Sequence, residues 1–518
     1  MDVEQFRKAG YAAIDRICDY YTTLQSQPVS SSVQPGYLAP LLPTQPPTQG
    51  EDFSIIAADY DKYIMPGLTH WQHPSFFAYF PTAASFEGIL GDLYATAAPH
   101  PGFNWSCSPA STELEAIVMD WAAKLLGLAP AFHNACGTGG GALQTTASDS
   151  ALVAAVAARE RFVSTHSESD AQTPLNSLVI YVTTQTHSLG LKAARVLGLQ
   201  VRALEVTTED RYALRGETLR AALEEDLAVG RKPFILMATV GTTSSGAVDN
   251  LPEIQAVLAD YPEIWLHIDA AWAGIALCCP ETRDELYLDA INAAADSFCT
   301  NFHKWGLVNF DASTLWVRDR LTLTRALDIT PPFLRTAHGD SGAVIDYRNW
   351  HLALGRRFRS LKLWFVLRGF GVQGFQAHVR AGIKLNNTFN ALLANSEVLQ
   401  LITPPSLALT VFRAAPKSTP NGRAGAEAEI EKEKDGNELT HLNALNASFF
   451  ARLARRPDLA ITQTVLNGVF CVRFAIGAAR TTEAHVRAAF EVIEEEARAV
   501  VKEDLEARET ATAAVVHV

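Results

Sequence analysis

Cysteine is scarce in this sequence: seven residues are scattered through a chain of 518, and none form a CxxC pair. No Cys/His spacing suits zinc and no EF-hand spacing occurs among the acidic residues, so no metal site is predicted. An odd number of cysteines, with Cys278 next to Cys279, favours reduced thiols over a disulfide framework. These features predict a protein of a reducing, cytoplasmic compartment.

Long apolar runs are missing as well. No stretch approaches the roughly 20 apolar residues that a membrane-spanning helix requires. The first ten residues, MDVEQFRKAG, include acidic side chains and lack the apolar region of a signal peptide. We therefore expect a soluble protein without a membrane partner.

Basic residues are outnumbered, since 43 Lys and Arg stand against 56 Asp and Glu, for a formal net charge of -13. This balance argues against a nucleic-acid partner, whose phosphates require a basic surface. The one dense basic run, RRFRSLK (356–362), is more simply interpreted as the start of a helix with interface salt bridges.

Two amphipathic helices are predicted near the start of the chain, on either side of a proline-rich stretch. The first has apolar residues at helical spacing, namely Ile14, Ile17, Tyr21 and Leu24. The proline-rich stretch (34–50) predicts an extended arm, for which a second subunit is one candidate surface. Thr112 with Glu115 predicts a capping box at the start of the second helix.

The chain length fits roughly three domain-sized units. We predict an N-terminal helical arm over residues 1–85, a large α/β domain over 86–370 and a small α+β domain over 371–518. Within the last, the segment 415–439 is rich in Pro, Gly, Glu and Lys and is interpreted as a mobile surface insertion.

Strand-like apolar runs alternate with helical patterns through the middle of the chain. The runs are SLVIYVT (177–183), KPFILMATVG (232–241), IWLHIDAA (264–271) and STLWVRD (313–319). Continuous apolar strands separated by helices predict a parallel sheet covered on both faces.

Polar residues follow these strands at the edge where open parallel sheets bind ligands. They are His187, Thr242, Thr243, Asp269, Asn301, His303 and Lys304. A glycine-rich loop beginning at Gly137 runs into a helix near Ser148, and the free N–H groups of a helix start suit a phosphate. No GK[ST] sequence is present there, which excludes a Walker loop.

A phosphate cradle, a strand-end aspartate, a histidine and a lysine are the parts that pyridoxal phosphate requires. The lysine amine forms a Schiff base with it, and a carboxylate keeps its pyridine nitrogen protonated. Each part alone has a plainer interpretation: His187 as a hydrogen-bonded core histidine, Asp269 as a cap or ion-pair partner, the loop as a turn. The order of these residues along successive strand ends favours the cofactor.

Several long motifs resemble the aromatic-L-amino-acid decarboxylase family of pyridoxal-phosphate enzymes. They are HPSFFAYFPT (73–82), SPASTELE (108–115), HIDAAWAG (267–274), NFHKWGLVNFD (301–311) and DYRNWHLALGRRFRSLKLWF (346–365). The resemblance runs from the first helix to about residue 500 and implies a fold-type-I enzyme. It also implies a homodimer with active sites at the interface.

The resemblance implies a role for each matching residue. Lys304 would form the Schiff base, Asp269 would pair with the pyridinium nitrogen, and His187 would stack on the ring opposite Ala271. The phosphate would be surrounded by Ala147, Ser148, Asn301 and His303, with Thr243 beside the ring. The aromatic side-chain pocket would be formed by Trp71, Tyr79, Phe80, Pro81 and Thr82, with Pro101 and Phe103 from the partner subunit; ordinary core packing is the alternative for these aromatics.

One position departs from the family pattern. Family decarboxylases carry a tyrosine in a mobile loop after the lysine segment, whereas ITPPFLRT here places Phe333 at that spacing. After carbon dioxide leaves, the α-carbon needs a proton from a positioned acid to give an amine; a phenol supplies one and a benzyl ring does not. Molecular oxygen can then react instead, and the resemblance implies this outcome, because family members with phenylalanine here behave as aromatic acetaldehyde synthases. The prediction is an aromatic aldehyde, CO2, NH3 and H2O2 as products.

Three alternatives to this reaction remain: a plain decarboxylase, an inactive scaffold and an enzyme for acidic amino acids. His187 or water could still protonate the carbon, giving a plain decarboxylase with an amine product of the tryptamine, tyramine, dopamine or phenethylamine type. Gly355, where some relatives carry serine, mildly favours a large ring such as that of tryptophan without ranking the substrates. An inactive scaffold, or an enzyme for acidic amino acids, fits the intact set of residues and the aromatic wall less well.

Overall fold

The computed structural model describes residues 1–166, 174–415 and 436–516. Its strands are β1 Gly140–Gln144, β2 Leu178–Thr183, β3 Gln200–Leu204, β4 Lys232–Thr239, β5 Trp265–Asp269, β6 Ser297–Asn301, β7 Ser313–Val317, β8 Leu399–Leu401, β9 Leu409–Ala414, β10 Thr462–Leu466 and β11 Val469–Ala475. The insertion predicted over 415–439 lies outside the described residues apart from Ala415 and residues 436–439.

Helices flank and connect these strands. They are α1 Val3–Thr23, α2 Phe53–Asp59, α3 Phe86–Ala97, α4 Pro109–Leu126, α5 Ala147–His166, α6 Leu189–Leu197, α7 Gly216–Ala228, α8 Leu251–Leu258, α9 Leu288–Ala294, α10 Phe302–Trp305, α11 Arg320–Leu327, α12 Ala337–Asp340, α13 Arg359–Asn395, α14 Gly436–Leu453 and α15 Glu483–Val516. Within the described ranges, no helix combines the length and apolar character needed to cross a membrane.

Seven strands of the described chain form one sheet in the order β1-β7-β6-β5-β4-β2-β3. The strands from β3 to β6 in this order run parallel to one another. β7 is antiparallel to both of its neighbours, so the prediction that STLWVRD belongs to a parallel run is wrong for this strand. Only residues 302–312 join β6 to β7, fewer than the dozen or more that a parallel crossover needs.

Both faces of this sheet are covered, as the continuous apolar strands predict. Along β2, Val179 and Tyr181 pack into one apolar cluster, together with residues of α4, α7 and α8. Ile180 and Val182 pack into a second cluster, together with residues of α5 and α6. Because successive strand residues point to opposite faces, the sheet lies between two helical layers.

A smaller antiparallel sheet follows, in the order β10-β11-β9-β8. Phe389 of α13 stacks on Phe474 of β11 with ring centroids 3.9 Å apart, and α14 and α15 also contribute to this core. The long helix α13 is interrupted at Gly371, whose φ of 61° is one that glycine adopts readily. The predicted fold, a mostly parallel α/β sheet with a smaller α+β unit, is confirmed.

The predicted capping box at Thr112 and Glu115 is wrong. Helix α4 begins three residues earlier, at Pro109, where the Ser108 hydroxyl accepts the N–H of Ser111. Glu115 is buried in the helix interior instead, where its two oxygens accept hydrogen bonds of 2.6 and 2.8 Å from Arg356. The acid that resembled a cap residue is therefore half of a buried ion pair.

The basic run at 356–362 leads into α13, as predicted, and forms ion pairs within the chain, while interface salt bridges remain a prediction. Besides Arg356, it contributes Arg359, paired with Asp311, and Lys362, paired with Asp92. These partners lie in the same chain, so the run is part of the core of the large α/β unit rather than a basic surface.

Helix α1 has no buried residue. Its predicted apolar stripe is half-buried at Ile17 and Tyr21, whereas Ile14 near its middle is exposed. Large apolar side chains are also exposed on α2 and α3, among them Ile55 and Tyr94. The N-terminal helices therefore carry an apolar surface that the described part of this chain leaves uncovered.

Breaking the buried ion pair should destabilise the protein strongly. In Glu115→Gln, the guanidinium of Arg356 stays buried without a counter-charge, and we expect the free energy of unfolding to fall by about 3–5 kcal/mol. Urea unfolding followed by circular dichroism measures this loss. The matched control is Glu483→Gln, which removes an exposed pair with Arg487 on α15 and should change little; equal losses in both variants would contradict the assignment.

Candidate active site

A cavity of about 430 Å³ lies beyond the carboxyl ends of β2, β4, β5 and β6. Its lining includes all nine residues predicted to hold the cofactor, namely Ala147, Ser148, His187, Thr243, Asp269, Ala271, Asn301, His303 and Lys304. Neighbouring strands bring them together, since Thr239 pairs with Asp269 and Asp269 with Cys299 in the sheet register. This position is the one expected of a ligand site in an open parallel sheet.

Lys304 lies in the short helix α10, directly after β6. Burial lowers the pKa of its amine, and the positive charge of Arg473 lowers it further, while the negative charge of Asp269 opposes the shift. The amine is also 5.4 Å from the centre of the Phe80 ring. A lysine whose pKa is lowered has a larger neutral fraction and is therefore a better nucleophile.

Asp269 ends β5 with its carboxylate at the cavity. Its Oδ1 accepts the backbone N–H of Ala271 at 3.0 Å and the thiol of Cys299 at 3.9 Å. Its Oδ2 accepts no hydrogen bond from the described residues. One carboxylate oxygen is thus held by the protein while the other is available to a ligand.

Two histidines line the cavity, and the backbone fixes the tautomer of each. Leu189 donates its N–H to Nδ1 of His187 at 3.3 Å, and Ala312 donates to Nδ1 of His303 at 2.8 Å. Each neutral ring must therefore carry its hydrogen on Nε2. Burial lowers the pKa of both, that of His303 to about 3, so both are neutral donors at physiological pH.

One end of the cavity is built for an anion. The N–H groups of Ala147 and Ser148 belong to the first turn of α5, which has no intrahelical acceptors for them. They attract negative charge together with the positive end of the helix dipole. His303, whose neutral ring has its hydrogen on Nε2, lines the same cavity.

The backbone between β4 and its following turn is closely packed. Gly241 has a φ of 83°, and an added Cβ would come within 2.4 Å of the Ala273 side chain. Only glycine fits this turn, which brings Thr243 to the cavity. The turn therefore fixes the position of a residue that sequence alone placed only at a strand end.

The predicted substrate residues lie outside the lining of this cavity. They are Trp71, Tyr79, Phe80, Pro81, Thr82, Pro101, Phe103 and Gly355. Phe80 contacts this lining, because its ring stacks on Trp272, a lining residue, at 4.4 Å between centroids. Phe333 is 80% exposed and is likewise not brought to the cavity of its own chain. Their roles at the site remain predictions.

Sequence reasoning missed several lining residues. Thr146, Asp149, Thr239 and Trp272 contribute, as does one face of α6 through Leu189, Lys192, Ala193 and Val196. The spacing of these four α6 residues is helical, so periodicity combined with His187 could have found them. Arg473 is buried and lies 4.9 Å over the Phe80 ring, but nothing in the sequence linked β11 to the site.

Metal ligands are not grouped at this site or elsewhere in the described ranges, where no cluster of three or more His, Cys, Asp or Glu is arranged to hold an ion.

Comparison with known proteins identifies the family. Residues 35–415 match the pyridoxal-dependent decarboxylase conserved domain. This chain belongs to the pyridoxal-dependent decarboxylase family. The predicted resemblance to the family's aromatic-amino-acid members is also confirmed, since its relatives include an aromatic-L-amino-acid decarboxylase.

Phenylacetaldehyde synthase of Arabidopsis thaliana is 42% identical over 500 residues, covering 96% of each chain. Aromatic-L-amino-acid decarboxylase of Rattus norvegicus is 39% identical, covering 98% of this chain and 100% of that one. The crystal structure of Oryza sativa TDC with PLP and tryptamine superimposes with a TM-score of 0.88 at 37% identity, covering 96% of this chain and 98% of that one. The family thus includes both decarboxylases and an aldehyde synthase close to this chain.

The lowered pKa of Lys304 can be tested without any cofactor. Competitive labelling with acetic anhydride, followed by peptide mass spectrometry, gives the pH at which the amine becomes reactive. We expect the inflection below 10.5, the ordinary lysine value, because burial disfavours the charged form. In Arg473→Gln the inflection should move to higher pH, because a neighbouring positive charge is lost. The control Arg380→Gln removes a surface partner of Glu281 and should leave the inflection unchanged. An inflection at the ordinary value in the native protein would contradict the assignment.

Proposed function

We propose that this protein uses pyridoxal 5'-phosphate to decarboxylate an aromatic L-amino acid and couples this step to oxidative deamination. The products are an aromatic acetaldehyde, CO2, NH3 and H2O2. The observation that carries the choice of product is Phe333, which replaces the loop tyrosine of the family's amine-forming members. The 42% identity to a phenylacetaldehyde synthase supports the same choice.

The residues of the cavity fit the cofactor. Lys304 offers an amine, Asp269 offers its free Oδ2 to a pyridinium N–H, and the start of α5 offers backbone donors to a phosphate. Asn301 has a buried side-chain oxygen without a partner among the described residues, which a bound ligand could satisfy. When bound, pyridoxal phosphate supplies an electron-withdrawing ring that accepts the electrons left by the departing carboxylate.

The chain's own residues prepare this reaction. The amine of Lys304 has no ion-pair partner within 4 Å in the described structure, so it remains a free nucleophile. The small side chain of Ala271 leaves room for a flat ring, and the His187 imidazole offers it an opposite face. Phe80, Trp272 and Trp305 stack in series next to the amine, which keeps water away from the reacting atoms.

The fate of the α-carbon decides the product. A benzyl side chain at 333 has no proton to give, so the electron-rich α-carbon stays unprotonated and molecular oxygen can accept its electrons. The net reaction takes one amino acid, one O2 and one water to the aldehyde, CO2, NH3 and H2O2. The carbon skeleton loses two electrons, and O2 gains the same two.

A plain decarboxylase that releases the amine is the second candidate. The observation favouring it is His187, whose Nε2–H is a fixed donor at the cavity. The lowered pKa of this ring makes it neutral and a weaker acid than an imidazolium. We therefore place the aldehyde reaction first.

The subunit arrangement belongs to the same proposal. Phe333 is 80% exposed and the neighbouring Ile329 is 81% exposed, so these two side chains do not pack against their own chain. Large apolar residues are also exposed along α1 to α3, as expected for an interface. We propose a homodimer in which α1 to α3 cover one another and the Phe333 loop reaches the partner's cavity.

Substrate choice is proposed from the space around Gly355. A Cβ at this position would meet only the carbonyl oxygen of Pro101, at 4.0 Å. The position is therefore open enough to leave room for an indole, and tryptophan is the substrate to test first. The effect of one added side-chain group on discrimination is about 1–3 kcal/mol.

Aerobic product analysis tests the reaction. The native protein supplied with tryptophan, phenylalanine, tyrosine or dopa should give aldehyde and peroxide in equal amounts. Phe333→Tyr restores a phenol and should raise the amine-to-aldehyde ratio by about 10²-fold or more. Phe6→Tyr, on α1, is the control for an added phenol, and Lys304→Ala should abolish turnover. Stoichiometric amine without peroxide from the native protein would rule out the synthase.

Sedimentation velocity tests the interface. The native protein should sediment with twice the chain mass of 56.3 kDa. Leu93→Asp places a charge on the apolar surface of α3 and should shift the population toward monomers. Leu505→Asp, at an equally exposed leucine on α15, should remain dimeric, and dissociation of both variants to the same degree would contradict the proposed surface.

A doubly tagged heterodimer locates the loop. One chain carries Lys304→Ala and the other Phe333→Tyr, so the only site with Lys304 is in the chain whose own loop has tyrosine. The partner's loop has phenylalanine. If the loop crosses to the partner, this site sees phenylalanine and gives aldehyde. Amine as the main product would show that the loop serves its own chain.

A further inference from the structure

Behind Asp269, a row of buried polar side chains leads away from the cavity. Trp265 donates its indole N–H to the Ser297 hydroxyl at 2.7 Å, and Ser297 lies 2.7 Å from Nδ1 of His267. Nε2 of His267 is 3.7 Å from the sulfur of Cys299, and that sulfur is 3.9 Å from Oδ1 of Asp269. The five side chains form one continuous path.

The sheet explains why these residues meet. Trp265, His267 and Asp269 alternate along β5 and so point to the same face. Ser297 and Cys299 alternate along β6, and the register pairs them with His267 and Asp269. The histidine, serine and thiol have no exposed surface. Bulk water does not reach them, so their hydrogen bonds are made with one another and with Trp265 and Asp269.

Counting hydrogens fixes the direction of the path. The indole of Trp265 is only a donor and the carboxylate of Asp269 only an acceptor. If Ser297 donates to Nδ1, His267 carries its hydrogen on Nε2 and donates to the sulfur, and the thiol hydrogen is free for Asp269. In the reverse arrangement the Ser297 oxygen accepts both N–H groups, and its own hydrogen has no acceptor among the described hydrogen bonds. Leaving a buried hydroxyl unpaired is unfavourable, so the first arrangement is preferred.

We propose that Trp265, Ser297, His267 and Cys299 form a one-way hydrogen-bond relay that donates into Oδ1 of Asp269 and holds its carboxylate in position. These four are positioning residues, since none lines the cavity. The inference rests on the proposed function in one respect: Asp269 is the cofactor's partner. With Oδ1 occupied by Cys299 and Ala271, Oδ2 is the oxygen left for a pyridinium N–H.

The electrostatics of the relay agree with this direction. Burial lowers the pKa of His267 to about 4, so the ring is neutral and has one hydrogen to place. Burial raises the pKa of Cys299 well above its ordinary value, and the charge of Asp269 adds to the shift, so the sulfur keeps its hydrogen. Chains of hydrogen bonds polarise one another, which strengthens the last donor to the carboxylate.

Infrared spectroscopy of the full-length protein tests the last link. The S–H stretching band of Cys299 is identified as the one lost in Cys299→Ser. In Asp269→Asn the acceptor is weaker, so this band should move to higher wavenumber, while the band lost in Cys471→Ala, from a thiol in the small sheet, should stay in place. An unmoved Cys299 band would overturn the relay.

Nitrogen-15 NMR of histidine-labelled protein tests the direction. The resonance of His267, assigned by its loss in His267→Gln, should show the tautomer with hydrogen on Nε2. In Ser297→Ala the Nδ1 partner is lost, and the tautomer should become mixed. Hydrogen on Nδ1 in the native protein would reverse the path and refute the proposal.

Cofactor affinity tests the purpose. Titration of the cofactor-free protein with pyridoxal phosphate should give binding about tenfold weaker in Cys299→Ala, because a hydrogen bond to a charged group is lost. Cys299→Ser keeps a donor and should recover most of the affinity, while Cys471→Ala should bind like the native protein. Equal loss in the serine and alanine variants would show that only packing matters.

The two proposals fail separately. If the product assay finds neither decarboxylation nor aldehyde, the function is wrong, yet the infrared and NMR results still decide whether the relay exists. If turnover is normal but the Cys299 band and the His267 tautomer are not as expected, only the relay is refuted.

Discussion

An amine and a carboxylate share a buried cavity here without neutralising each other. Lys304 and Asp269 interact through space, but no ion pair within 4 Å joins them in the described structure. Burial in a medium of low polarity therefore outweighs the opposing charge of Asp269 and lowers the pKa of the lysine amine. A direct salt bridge would have raised it and removed the nucleophile. The elements around the cavity hold these two groups near each other but beyond ion-pairing distance.

The sheet achieves this separation through strand register. Asp269 ends β5, while Lys304 lies on a short helix one strand further on, beyond the end of β6. Each has its own neighbours: Asp269 accepts hydrogen bonds from Ala271 and Cys299, and the lysine amine lies over the Phe80 ring. The short connection after β6 also forces β7 to run antiparallel. The residues between β6 and β7 thus determine both the position of Lys304 and the antiparallel direction of β7 in the described sheet.

The histidines illustrate how backbone contacts tune chemistry. In both His187 and His303 a backbone N–H occupies Nδ1, which places the hydrogen of each neutral ring on Nε2. His267, two residues before Asp269, has its ring between a serine and a thiol. Each imidazole is kept neutral by burial, so the cavity contains donors rather than extra positive charge. Neutral donors suit a bound phosphate, and because they carry no charge they leave the cofactor's ring nitrogen to Asp269.

Sequence by itself determined the alternation of strands and helices and the residues at the strand ends, because these depend on local periodicity and on the rule that parallel strands share a carboxyl edge. It also placed all nine predicted cofactor residues, which the structure gathers around one cavity. Tertiary structure alone decided that Glu115 pairs with Arg356 rather than capping a helix. It also brought Arg473 from the small sheet to the Phe80 ring and linked Cys299 to Asp269. These contacts join residues far apart in the chain or on neighbouring strands, and the free energy that selects them comes from burying and pairing polar groups in three dimensions, which no local pattern records.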